Sequence, residues 1–76
     1  MKLTIDVVLK EELKRRNISQ NQLAEMTNIR KAAISELINN QRRSINKEHL
    51  IKIAEALEIT DITKLLVIKE TIEKSN

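Results

Sequence analysis

Between Arg30 and Lys47 lie five basic side chains (Arg30, Lys31, Arg42, Arg43, Lys47) and one acidic one, Glu36. That local excess is larger than the +3 of the whole chain. A compact cationic stretch suits a polyanion, because ammonium and guanidinium groups donate to phosphate oxygens and, equally well, to guanine O6 and N7. Glu36 has the complementary chemistry, since a carboxylate accepts from cytosine N4. Ala32 offers a methyl group that suits thymine, and Ser35 is small and can hydrogen-bond. Plainer readings stand beside these. Arg30 and Lys31 are equally read as solvated charges, and Glu36 as a partner for a base one turn away. Arg42 and Arg43 read as contacts to a phosphate backbone, a role blind to sequence, or as a plain polar loop.

Other chemistries find little support. His49 is the only histidine, and the chain has no cysteine or glycine. A lone histidine makes no nucleophile–base set, and without glycine no phosphate-cradling loop forms. The chain therefore reads as not an enzyme, with no cofactor, metal or small-molecule ligand. It also has no Phe, Tyr or Trp on which to stack unpaired bases. That favours duplex DNA over RNA or single strands.

These residues need a frame. A chain of 76 residues supports one domain, here read as 1–76 with a core over about 6–66 and a tail over 67–76. No disulfide or metal can staple so small a core, and a second copy would supply burial. No apolar run is long enough for a bilayer and no leader pattern opens the chain, so a soluble, cytoplasmic protein is expected.

The expected elements are mostly helical. MKLTI reads as a short strand or arm. Asp6 reads as the N-cap of a first helix over about 6–16, ended by Asn17 in a left-handed conformation. Ser19 and Gln22 make an S-x-x-Q capping box for a second helix, which buries Leu23, Ala24 and Met26 and ends near Thr27. A third helix runs over about 30–38 with Ala33, Ile34, Leu37 and Ile38 as its apolar positions. Asn28 turns the corner between them, because Asn enters the left-handed region more readily than other non-glycine residues. Asn40 does the same after the third helix. Asn46 caps a fourth helix with a Leu50–Ile53–Ala54–Leu57 stripe. Thr60 and Asp61 open a short fifth helix, ITKLL. LVIKETI follows, either as a strand pairing with MKLTI, within a chain or across a dimer, or as a helical continuation. Ile62, Leu65, Leu66 and Val67 are its expected apolar contacts, and the last residues, EKSN, are expected to fray.

The close pair of helices around Asn28 leaves one face of the third free to enter a major groove. At that point LKRRNISQNQLAEMTNIRKAAISELINNQRRSINKEHLIKIAEALEI resembles the DNA-binding domain of the lambda-repressor/Cro-like (XRE) helix-turn-helix family. SQNQLAEMTN, AISELINNQR and LIKIAEALEI carry most of the likeness. The resemblance implies a mainly α, five-helix bundle and a transcriptional regulator, most simply a repressor, binding double-stranded DNA as a homodimer. It places Lys31, Ala32, Ser35 and Glu36 at base-reading positions, with Arg30 beside them. It places Gln20, next to Ser19, and Asn39 at phosphate-contacting positions, with Gln20 also bracing the third helix. The Arg42–Arg43 loop joins this set. The family's turn glycines are Asn28 and Asn40 here. A buried Arg–Glu pair common in the family is replaced by Leu13 and Ile38, which implies an apolar contact in place of an ion pair. A partner-neutralising protein of the same fold, such as an antitoxin that holds its partner with its tail, is the alternative.

Overall fold

The computed structural model describes residues 2–71. Four helices, α1 (Leu9–Arg16), α2 (Gln20–Thr27), α3 (Lys31–Ile38) and α4 (Lys47–Leu57), lie between two strands, β1 (Lys2–Val7) and β2 (Leu66–Thr71). The strands pair antiparallel, from Lys2 opposite Thr71 to Val7 opposite Leu66. The described parts of MKLTI and LVIKETI are thus partners within one chain, and Leu66–Thr71 form a strand rather than a helical continuation. Residues 72–76, including the expected frayed end, lie outside the described residues.

Two boundaries correct the sequence reading. Asp6 does not cap α1. It belongs to β1, where its carboxylate meets Lys69 at 3.3 Å. The chain stays extended through Val7, and α1 begins at Leu9 with Val8 as an N-cap that offers no side-chain bond. Pairing with β2 outweighs the local capping preference of Asp6. The fifth helix is also not formed. Ile62–Lys64 make a single 3₁₀ turn, with Asp61 Oδ1 accepting from the Thr63 N–H and hydroxyl. The chain must then reverse into β2, which leaves no room for further helical turns.

Elsewhere local chemistry sets the helix ends as expected. Ser19 Oγ accepts from the Gln22 N–H, and Gln22 Oε1 accepts from the Ser19 N–H, closing the capping box. Asn46 Oδ1 accepts from the N–H groups of Glu48 and His49 at the start of α4. Asn17, Asn28 and Asn40 hold positive φ, as does Glu58 after α4. Three of the four are Asn, whose short amide tolerates that region.

The core gathers Val7, Leu9, Leu13, Leu23, Ala24, Ile29, Ile34, Ile38, Ile53, Leu57, Ile59 and Leu65. Leu9, Leu23, Ile34, Ile53 and Leu65 are fully buried, each worth about 1.5–3 kcal/mol relative to exposure. Leu13 and Ile38 share this core and line one small cavity beside Ile18. Both positions are thus apolar and buried in one core. Met26 and Ile62 are exposed, against expectation. On α2 the third buried residue is Thr27 instead, and its hydroxyl bonds the Leu23 carbonyl at 2.7 Å.

The paired strands extend beyond this core. The molecule measures 45 × 24 × 22 Å. Only Val7 of β1 is buried, and Leu3, Ile5 and Ile68 stay exposed along the ribbon.

Candidate nucleic-acid interface

The corner between α2 and α3 is built from three neighbouring residues. Asn28 takes φ 57° and ψ 31°. Ile29 is buried beneath it, and the Ile29 N–H reaches Thr27 Oγ1 at 3.4 Å. With Ala24 small and buried on α2, α3 can lie close against it. Ile34 and Ile38 face inward and anchor α3. Lys31 and Ala32 are exposed, and Ser35 and Glu36 are half-buried on the remaining surface. Arg30 is exposed as the residue preceding α3.

The flanking groups are arranged around this face. Asn39 follows α3, and its Nδ2 donates to Ser35 Oγ at 3.2 Å. Arg42 reaches back to Glu36, Nη2 to Oε1 at 3.2 Å. One predicted backbone contact thus neutralises one predicted base reader, and the partner of Glu36 lies in the loop rather than one turn away. Arg43 is exposed on the same loop. A cavity of about 430 Å³ between α3, this loop and the start of α4 is lined by Arg30, Glu36, Arg42 and His49 among others. His49 is half-buried there.

Ser19 and Gln20 lie on the other side of the motif. Both are exposed, and the Ser19 hydroxyl already serves as the helix cap. Among the described residues no hydrogen bond ties Gln20 to α3, although both Gln20 and Ile38 line one small cavity. Lys10 and Lys14 of α1 line a cavity of about 210 Å³ together with Ser19 and Gln20. Sequence reasoning missed these two lysines. They lie four residues apart, one above the other on one helix face, a spacing that could have marked them.

The fold that holds the two cationic flanks, one capping box and one Asn-turned corner is that of a known family. The Helix-turn-helix family model matches residues 9–65. The chain belongs to the lambda-repressor/Cro-like (XRE) helix-turn-helix family. Searches of curated proteins and of solved structures give no match. This is a family of DNA-binding regulators, which accords with the cationic surfaces around α3. β1 and β2 both lie outside the matched span, so the helix-turn-helix protein adds a ribbon to the family core. Among the described residues no helix is long and apolar enough to cross a membrane, and no cluster of metal-ligating side chains occurs.

Two further contacts brace this helix-turn-helix domain and were not foreseen. Glu12 is buried on α1, accepting from Arg15 Nη1 at 2.9 Å and from Arg16 Nε at 2.8 Å. The Arg16 guanidinium beside it holds the carboxyl below its usual range, with Arg15 and Lys64 adding to the effect and burial opposing it. Arg16 Nη1 also donates to the Leu57 carbonyl at 2.7 Å, tying α1 to the end of α4. The Leu9–Glu12–Leu13–Arg16 spacing was the available signal, since these positions share one helix face. The second brace is the Asn40 side chain. It accepts from the Val7 N–H at 2.7 Å and donates to the Val7 carbonyl at 3.2 Å.

Proposed function

We propose that this protein, one domain over residues 1–76, is a sequence-specific duplex-DNA-binding regulator. It acts as a repressor by covering an operator as a homodimer. The observation that carries the reading is the surface of α3. Lys31, Ala32, Ser35 and Glu36 lie outward while Ile34 and Ile38 hold the helix by its other side. Such a helix fits the major groove, where Lys31 and Arg30 donate to guanine and Ala32 touches a thymine methyl. Glu36 either accepts from cytosine or keeps Arg42 in place. Ser35 and Asn39, already bonded to each other, lie at the exit of the groove.

Phosphates are met on both sides. Gln20 and Ser19, with Lys10 and Lys14 close by, hold one strand. Arg42, Arg43 and Asn39 hold the other. Two copies would place their α3 helices about 34 Å apart, one turn of duplex.

Titration into a random duplex pool at two salt concentrations, followed by sequencing of the retained DNA, tests this reading. A two-fold symmetric motif is the expected result. Retention that depends steeply on salt with no enriched motif would remove the base-reading roles. No retention at low salt would remove DNA binding altogether. The exposed Leu3, Ile5 and Ile68 favour a second reading, that the ribbon holds a different protein. A partner-neutralising role would then stand in place of repression.

A further inference from the structure

The hydrogen-bond parity of β1 shows which of its backbone groups point outward. The Val8 N–H bonds the Leu65 carbonyl on the β2 side. Val7 directs both its N–H and its C=O the other way, to Asn40. Along a strand these directions alternate. Lys2, Thr4 and Asp6 therefore bond toward β2, and Leu3, Ile5 and Val7 point to the outer edge. Asn40 acts there as one residue of a third strand. It covers Val7 and leaves the edge at Leu3 and Ile5.

We infer that this edge of β1 pairs antiparallel with β1 of a second copy, about a two-fold axis through Thr4. This deepens the homodimer in the preceding reading by giving it a surface. In this register Leu3 and the partner's Ile5 are opposite and exchange both backbone hydrogen bonds, and symmetry repeats the pair. Both residues are on the apolar face of the ribbon, at 56% and 60% exposure in the single chain. Thr4 faces the partner's Thr4 across the axis as a close, non-hydrogen-bonded pair. Lys2 comes opposite the partner's Asp6, which also meets Lys69 of its own chain, on the other face. Val7 is not needed, and Asn40 already holds it.

Several other registers fit less well. Centring on Ile5 requires the Val7 groups that Asn40 occupies. On the β2 edge, centring on Lys69 or Glu70 sets like charges opposite, and centring on Ile68 sets Glu70 against the partner's Leu66. The chosen register converts an isolated two-stranded ribbon, marginal by itself, into a four-stranded sheet ordered β2-β1-β1-β2.

The chain has no cysteine, so a single Thr4→Cys gives a clean probe. Paired Cα atoms at a non-hydrogen-bonded site are about 4.5 Å apart, within reach of a disulfide. Oxidised Thr4→Cys should run as a covalent dimer, whereas Thr71→Cys on the far strand should not. Sedimentation equilibrium without DNA should show a dimer. Ile5→Pro removes an outward donor and leaves the bonds to β2 intact. It should abolish dimer and cross-link while the helical circular dichroism persists. Lys2→Glu should weaken the dimer by about tenfold. A monomer at high concentration, cross-linking at Thr71 as fast as at Thr4, or a dimer that survives Ile5→Pro would overturn the proposal. A heterologous partner captured by a monomeric chain would do the same. Because no DNA is present, these outcomes are independent of whether α3 reads bases.

Discussion

Asn40 and Val7, thirty-three positions apart, are joined by two hydrogen bonds, so that a single carboxamide holds both backbone groups of a strand residue. Asn40 also carries φ 56° at the end of the chain's third helix. It thus does what the family glycine does and ties the ribbon to the helix-turn-helix as well. Substitution separates the two roles. Asn40→Gly relieves the backbone but loses the clamp, and should cost about 1 kcal/mol. Asn40→Ala loses the clamp and keeps the strain, and should cost about 2–3 kcal/mol. Urea unfolding midpoints decide it. Equal costs would mean that the clamp contributes everything and the left-handed backbone nothing.

Leu13 and Ile38 share one core, at positions where the family resemblance implies an ion pair. Leu13→Arg alone buries an unpartnered charge and should cost about 3–5 kcal/mol. Adding Ile38→Glu should recover most of that loss, since an intact buried pair is close in stability to an apolar one. A double variant no more stable than the single would show that the two sites do not meet.

Glu12 makes stability depend on acid. Its folded pKa lies below the ordinary 4.5, because Arg16 and then Arg15 favour the carboxylate. The unfolded state therefore takes up protons first, and stability present above 4.5 is lost as pH falls through the folded value. Melting curves between neutral pH and pH 3 should show a steeper decline for the native chain than for Glu12→Gln. Parallel declines would assign acid sensitivity to other carboxylates.

The cationic residues should divide by kind. Lys14→Ala and Arg43→Ala should weaken binding to every duplex alike, each reducing the salt slope by about 0.9. Lys31→Ala should instead alter preference at one base position, by about 1–3 kcal/mol. Glu36→Gln weakens the hold on Arg42; affinity raised for all sequences would assign Glu36 to holding Arg42, and a changed preference at one base position would assign it to base reading. Competition binding across single-base operator variants separates these patterns, and a uniform loss from Lys31→Ala would remove it from base reading.

Much of this was legible because it is local. The S-x-x-Q box, the three Asn turns and the stripes of α3 and α4 each depend on residues a few positions apart. The family likeness then located the helix-turn-helix. What escaped was set at a distance. Asp6 looks like a cap until β2 claims it, and ITKLL looks helical until the chain has to reverse at Leu66. The Asn40 clamp and the Arg42–Glu36 pair depend on how the loop after α3 folds back, which no periodicity encodes. Glu12 escaped for another reason: a charge on an apolar stripe reads as exposed until its two arginines are placed beside it. Of the candidate site, the sequence indicated the residues of α3 and its loop, and the lysines of α1 emerged only from the packing.

The ribbon joins residues near both ends of the sequence, Lys2 opposite Thr71. During synthesis β1 emerges early and must wait for β2. At roughly 5–20 residues per second that interval is on the order of seconds. The helices between them make local contacts and can fold within it, whereas closing so long a loop comes last. The nascent chain would therefore hold a finished reading head before it holds a finished ribbon. Assembly through a completed ribbon would then be timed by the emergence of β2.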